Sequence, residues 1–295
     1  YIKLDTLVGT PTIKNGLSTP TLVDLDGNGT TDRIYAGDLV GNMWAFDVSN
    51  TSSSSWVVAN TVSPLFSASP NFISGTGTNK PITMKPLVVK PSWITDTVSN
   101  APNHMVYFGT GQYISTGDAA NTDQQTFYGI WDSGTPASSS NLVQQTLTGT
   151  ASTRTLSANT VGYLGTDRGW FVDLTESGER VIVDAFELLG LVFVNTATPA
   201  STPCSAGGSS WRLAFDAETG GNPTINAFDT NNDGIIDLND STVAGIRFSF
   251  GIASATSIIG NYGYTSGTNT TRPVKTALPG GLSTGRRTSW KQLLH

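Results

Sequence analysis

The sequence predicts an all-β fold, a propeller or a sandwich, on three observations. Charged residues make up only 13% of the chain while glycine fills 32 of its 295 positions, a balance that disfavours long helices and favours short strands joined by turns. Roughly a dozen or more short apolar runs are separated by clusters of turn-forming residues. Finally, Trp44-Ala45-Phe46-Asp47 is echoed by Trp211-Arg212-Leu213-Ala214-Phe215-Asp216, each followed by a turn. Such an echo is the mark of an internal repeat. Its irregular period implies long insertions between units, and Gly37–Asp47 has the pattern of two outer strands of a propeller blade.

Taken in order, residues 1–19 form a lead-in and Thr21–Val23 a short strand. Asp24–Asp32 is a polar loop that runs straight into a second strand, Arg33–Gly37. The serine-rich run 49–55 is a loop. Pro81–Lys90, His104–Gly109 and Thr126–Asp132 read as strands, and 115–125 and 133–141 as turn and linker. Leu142–Thr148 alternates like an edge strand. Gly169–Leu174 and Arg180–Ala185 read as strands joined by the Glu176–Glu179 turn, followed by Leu188–Asn195. Beyond a second polar loop, Ile246–Phe250, Ile252–Ile259 and the tail Gly285–Leu293 complete the set. All of it reads as one partial propeller domain, 1–295.

The two polar loops carry the chemistry. In Asp229–Asp240, side-chain oxygens stand at the first, third and fifth places (Asp229, Asn231, Asp233). Gly234 follows where the chain must turn, Ile235 can offer its carbonyl, and Ile236 can anchor the loop inward. Asp237 stands ninth and Asp240 twelfth. Calcium takes six to eight oxygens at roughly 2.3–2.6 Å, and alternate residues of a tight loop can supply them. The twelfth residue is Asp and not the longer Glu of an EF-hand. Either it completes the site, or Asp237 does so and Asp240 caps a short helical turn at 241–244. Asp24–Asp32 follows the same logic with Asp24, Asp26, Asn28, the Thr30 carbonyl and Asp32. It is shorter, lies between two strands, and has Tyr35 at the twelfth place. The competing reading for it is a polar hairpin turn.

Composition excludes several classes. A formal charge of -6 argues against general nucleic-acid binding, and two calcium ions would offset part of it. No run of 18 apolar residues spans a membrane. The lone Cys204 has no internal partner; it is a small core residue, a thiol, or half of a bridge to another chain. The chain opens at Tyr1 in mid-pattern, which reads as a fragment. No Gly-x-Ser-x-Gly elbow accompanies the two histidines, His104 and His295, and His104 reads as an ordinary strand residue.

Taken together, these segments resemble the C-terminal region of the PilY/PilC family of type IV pilus biogenesis and adhesin proteins. The resemblance is carried by Gly16–Pro20 with the Asp24–Asp32 loop, Tyr35–Leu39, Val106–Gly111, Gln125–Asp132 and Gly169–Leu174. Pro203–Trp211, the Asp229–Asp237 loop, Gly251–Ser254 and Gly285–Trp290 continue it in order. It implies the later blades of a modified seven-bladed propeller, exposed at the pilus tip or outer membrane. It implies calcium held by Asp229, Asn231, Asp233, the Ile235 carbonyl and Asp237, with occupancy controlling pilus extension against retraction. Implied partners are minor pilins and other tip components, with host-surface or matrix ligands beside them. The Arg-Gly-Asp sequence by which some members bind integrins is absent. The von Willebrand A-like domain of some members is also absent from these residues.

Two other classes compete. The Trp44 and Trp211 repeats are similar to those of quinone-cofactor propeller enzymes, where the repeat is scaffold. The Asp24–Asp32 loop between strands is similar to the calcium loops of integrin-like or lectin-like propellers that bind host ligands directly.

Overall fold

The computed structural model describes residues 1–280, apart from 71, 73, 75, 76, 95–97, 99, 100 and 201–206. Cys204 and the expected tail strand Gly285–Leu293 therefore lie outside the described residues.

Three blade-like sheets stack face to face, and a fourth, small sheet follows. In the first, Thr21–Val23, Arg33–Gly37, Asn42–Asp47 and Val57–Val58 run antiparallel in that order, and Phe66–Ser67 also pairs with Asn42–Asp47. The second runs Leu87–Val89, His104–Gly109, Thr126–Asp132, Gly169–Asp173, and ends on Val143–Gln145, which pairs in parallel. In the third the order is Leu147–Gly149, Thr153–Leu156, Gly245–Phe248, Gly208–Asp216, Leu191–Asn195 and Phe186–Leu188. The fourth holds Ser257–Ile259, Tyr262–Thr265 and Val274–Ala277.

The second sheet lies in the middle. His104–Gly109 and Thr126–Asp132 are buried at every residue, as a strand covered on both faces must be. Alternation sends Phe108 and Tyr128 toward Phe66 of the first sheet. Phe127 and Trp170 face the third sheet, where Phe127 stacks on Phe215 at 4.8 Å between centroids. Burying each such ring contributes roughly 2–3 kcal/mol. Gly129 lets Trp170 lie flat across the sheet, since a Cβ there would come within 2.5 Å of the indole.

Buried ion pairs tie the sheets together. Arg33 donates to Asp132 at 2.8 Å, Tyr35 donates to the same oxygen, and Asp132 is fully buried between the first two sheets. Arg154 grips Glu179 with two bonds of 2.6 and 2.9 Å and stacks on Trp211. Removing one partner from such a pair leaves an uncompensated charge.

The expected repeat is present as strand and turn. Asp47 and Asp216 both end their strands by accepting amides two or three residues on. Trp44 donates to the buried Asp38 at 2.7 Å and Trp211 to Glu176 at 2.9 Å. The facing differs. Phe215 points into the main core, whereas Phe46 packs on the far side of the first sheet with Ala36 and Trp44.

Several strand expectations are corrected. Of Pro81–Lys90 only Leu87–Val89 forms a strand, with Ile82 making an isolated bridge to Gly111, because Pro81 and Pro86 lack ladder donors. Arg180–Ala185 is not a strand. Its guanidinium instead gathers the carbonyls of Gly178, Gln112, Asp118 and Asn121, and the backbone makes a single bridge to Ala197. Leu142–Thr148 splits at Thr146, whose amide turns to the Ser157 hydroxyl, so its halves join different sheets. Of Ile252–Ile259 only the last three residues form a strand. Among the described residues, no helix is long and apolar enough to cross a membrane.

Candidate functional site

The two loops leave the sheets at different places. Asp24–Asp32 connects Thr21–Val23 to Arg33–Gly37, and its base is closed by ladder pairing of Val23 with Arg33. Asp229–Asp240 lies in the connection from Asp216 to Gly245 of the third sheet. Its flanks, Phe228 and Val243, pack on the outer face of that sheet with Phe193.

Their first seven places share one bonding pattern. The first carboxylate, Asp24 or Asp229, accepts the amides of the fifth and sixth residues: Asn28 and Gly29 in one loop, Asp233 and Gly234 in the other. The third side chain, Asp26 or Asn231, accepts the fifth amide. The fifth, Asn28 or Asp233, accepts the amide of Thr30 or Ile235. An Asn–Asp bond links the third and fifth places in each loop, with the donor exchanged between them. The fourth and sixth residues carry positive φ in both: +79° and +88° at Gly27 and Gly29, +61° and +88° at Asn232 and Gly234. Asn tolerates the left-handed region better than most side chains.

The closures differ. In the shorter loop Asp32 is buried and accepts the amide of Leu25 at 2.8 Å. Carboxylate oxygens of Asp24, Asp26 and Asp32 lie within 4.8 Å of one another, which is the one such acid group among the described residues. In the longer loop the buried Asp240 takes the part that Asp32 plays. It accepts the amides of Thr230 at 2.6 Å, Asn231 and Asp237. Residues 241–244 form no helical turn, so Asp240 anchors its own loop and does not cap a following one. Asp237 is exposed and accepts both the amide and the side-chain nitrogen of Asn239. Ile236 is half-buried and Ile235 exposed.

Hydrogen bonding sets two of the acids. The Gly29 amide above all, with those of Gly27 and Asn28, holds the Asp24 carboxyl below its ordinary value of 3.8. At Asp240 burial pushes upward, but the amides of Asp237, Thr230 and Asn231 outweigh it and the carboxyl again lies low. Low values keep both as acceptors for a cation.

This donor set fits calcium. Three carboxylates converging in the shorter loop repel one another by roughly 1 kcal/mol per pair at about 4 Å in water, and more near the protein surface. A hard divalent cation would neutralise them with oxygen ligands alone. Asp24, Asp26, Asn28, Thr30 and Asp32 are drawn into one turn. In the longer loop Asp229, Asn231, Asp233 and Ile235 trace the same path, with Asp237 and Asp240 on separate bonds.

Two positions escaped the sequence reading. Asn226 clamps the base of the longer loop, donating to the carbonyls of Asp237 and Asp240 and accepting from Thr242. Its only signal was an amide three residues ahead of the motif. Arg212 is the other, a cation within an apolar strand. His104 opens its strand as expected, buried, with Nδ1 2.6 Å from the Pro102 carbonyl oxygen.

Comparison with known proteins adds four findings. Residues 2–168 match the family model of the PilY1 beta-propeller domain. The chain is 32% identical to the type IV pilus biogenesis factor PilY1 of Pseudomonas aeruginosa over 276 residues, covering 78% of the chain and 23% of that relative. A PilY1 homolog of Xylella fastidiosa is 32% identical over 304 residues, covering 96% of the chain and 22% of the relative. The chain thus spans less than a quarter of the curated relatives it matches. The crystal structure of the P. aeruginosa PilY1 C-terminal domain matches 92% of the chain and 62% of that domain, with a TM-score of 0.74 and 27% identity.

Proposed function

Since the chain belongs to the PilY1 family, a β-propeller family, we propose that it is the propeller portion of a type IV pilus biogenesis factor that acts by calcium-dependent binding. One observation carries the reading: the identity over 78% of the chain to a relative named for pilus biogenesis. In this reading the protein works at the cell surface, at the pilus tip or outer membrane, and engages minor pilins and other tip components. Calcium would supply positive charge to the converging carboxylates of the shorter loop and to the acids of the longer one, and so order each. Asp24, Asp26, Asn28, Asp32 and the Thr30 carbonyl would hold one ion. Asp229, Asn231, Asp233, the Ile235 carbonyl and either Asp237 or Asp240 would hold the other. The ordered surface would favour pilus extension over retraction.

The test is genetic. A strain lacking its own factor receives the full-length protein with Asp24→Ala and Asp229→Ala, singly and together. Loss of surface pili or of twitching in at least one variant, at normal protein level, is the expected result. Normal piliation in the double variant contradicts calcium control. Direct adhesion to host ligands is supported by the strand–loop–strand setting of Asp24–Asp32; a matrix-protein array measures it separately.

A further inference from the structure

Among the described residues, Arg212 is a buried cation without a counter-charge. It is 2% exposed, in the middle of Gly208–Asp216. Its Nε donates to Asn195 Oδ1 at 3.1 Å, Nη1 to Thr276 Oγ1 at 2.7 Å, and Nη2 to the hydroxyls of Thr256 and Thr265. All four partners are neutral. Other buried arginines of the protein differ: Arg33 faces Asp132, Arg154 faces Glu179, and Arg180 has the charge of Asp118 nearby. Burial alone pushes the Arg212 guanidinium down to about 10. The Phe248 ring, its centroid 4.9 Å from the guanidinium carbon, offsets part of the cost of burying this charge, and an anion would offset more.

The surroundings say what could do so. Arg212 and its partner Thr276 line a cleft of about 520 Å³. One wall is the Asp229–Asp240 loop, through Asp229, Asn232 and Gly234; the opposite wall is the strand Val274–Ala277. Apolar rings, including Phe228, Phe248 and Phe250, cover much of the rest. Lys275 adds a further cation to the lining, as does Arg247, which is itself paired with Glu176 at 2.7 Å, against the single acid Asp229. That balance runs opposite to a chain whose formal charge is -6. A guanidinium carries five N–H donors, so the four bonds leave one Nη1–H for a further acceptor. Val274–Ala277 is also an edge: among the described residues it pairs only with Tyr262–Thr265. An edge strand beside a pocket can receive an extended segment by backbone pairing.

We propose that this cleft docks an extended segment of a partner protein, seating an acidic side chain on Arg212 and a neighbouring apolar side chain on the Phe248–Phe250 surface. Aromatic pairing prepares that surface, since the two rings stack at 4.3 Å between centroids. The inference deepens the binding role above, and rests on it only in taking the partner to be a protein.

Calorimetric titration of the 295-residue chain with two blocked tripeptides tests it. One is acetyl-Phe-Glu-Phe-amide and the other acetyl-Phe-Gln-Phe-amide, equal in shape and different by one charge. The Glu peptide should bind about tenfold more tightly or better, as a charge-assisted bond gives. Arg212→Gln should erase that preference, and Lys275→Ala should weaken binding severalfold without erasing it. Equal affinity for the two peptides overturns the proposal and leaves Arg212 as a pin between the third and fourth sheets. Binding of phenyl phosphate with no preference for Glu over Gln also overturns it, in favour of a phosphate site. Should Arg212→Gln fail to fold, the comparison in the unaltered chain decides. Pilus assembly is not read here, so a negative titration leaves the biogenesis role standing. Loss of that role would not alter the peptide preference.

Discussion

Asp24–Asp32 and Asp229–Asp240 begin alike and end differently. Seven places of each share the same amide acceptors, the same left-handed turns and the same Asn–Asp link. After that the shorter loop closes on the buried Asp32, and the next residue, Arg33, enters the ion pair with Asp132 at the heart of the protein. The longer loop closes on Asp240, is clamped by Asn226, and rests on the outer face of the third sheet through Phe228. One polar turn is therefore continuous with the core, and the other is an insertion hung beside it. The clefts next to them differ as well. A cleft of about 560 Å³ beside the shorter loop is lined by Leu22, Ile34, Val48 and Trp56 and has no cation, whereas the other is floored by Arg212. The same turn is thus tied into the core in one place and lies beside a cation-lined cleft in the other.

That contrast is broken most forcefully at Asp132. Asp132→Ala strands Arg33 and Tyr35, and should lower unfolding free energy by about 3–5 kcal/mol in urea titration. A loss below about 1 kcal/mol would mean that the shorter loop is not coupled to the core through Arg33.

Asp32→Ala comes next. It should cost about 1–3 kcal/mol, because the Leu25 amide loses its acceptor, and should abolish calcium binding at that loop only. Asp240→Ala should change global stability by less than about 1 kcal/mol, since the amides it frees can reach water. It should nevertheless speed hydrogen exchange at Thr230, Asn231 and Asp237. If Asp240→Ala destabilises the whole fold more than Asp32→Ala does, the comparison is reversed.

The smallest effect concerns pH. Asp24 and Asp240 both have carboxyls held below 3.8 in the folded protein. A depressed folded value means stabilisation that is complete above the unfolded value and lost as pH falls through the folded one. Without calcium, both loops should therefore keep their bonds down to about 3.8 and lose them below it. Carboxyl carbon shifts followed by NMR should titrate below that value at both residues; midpoints above it at either would show that the bonds do not form in solution.

Much of this was legible in the sequence, for physical reasons. Oxygens at alternate places followed by glycine mark a tight turn closed by side-chain-to-amide bonds, because local geometry alone imposes that spacing. Asp47 and Asp216 likewise announced strand ends, since their turns are local. What long-range packing decides was not legible. Nothing in the local sequence says that Phe46 and Phe215, alike in context, face different cores. Nor does it say that Asp240 turns back to Thr230 and leaves residues 241–244 uncapped, or that Arg212 would be buried among Thr256, Thr265 and Thr276 at the fourth sheet.

Calcium titrated calorimetrically into the chelator-stripped chain decides whether the two loops hold ions. Two sites are expected, with Asp24→Ala removing one and Asp229→Ala the other, each leaving its counterpart intact. Absence of binding in the unaltered chain would contradict the account, and so would a single site lost in both variants.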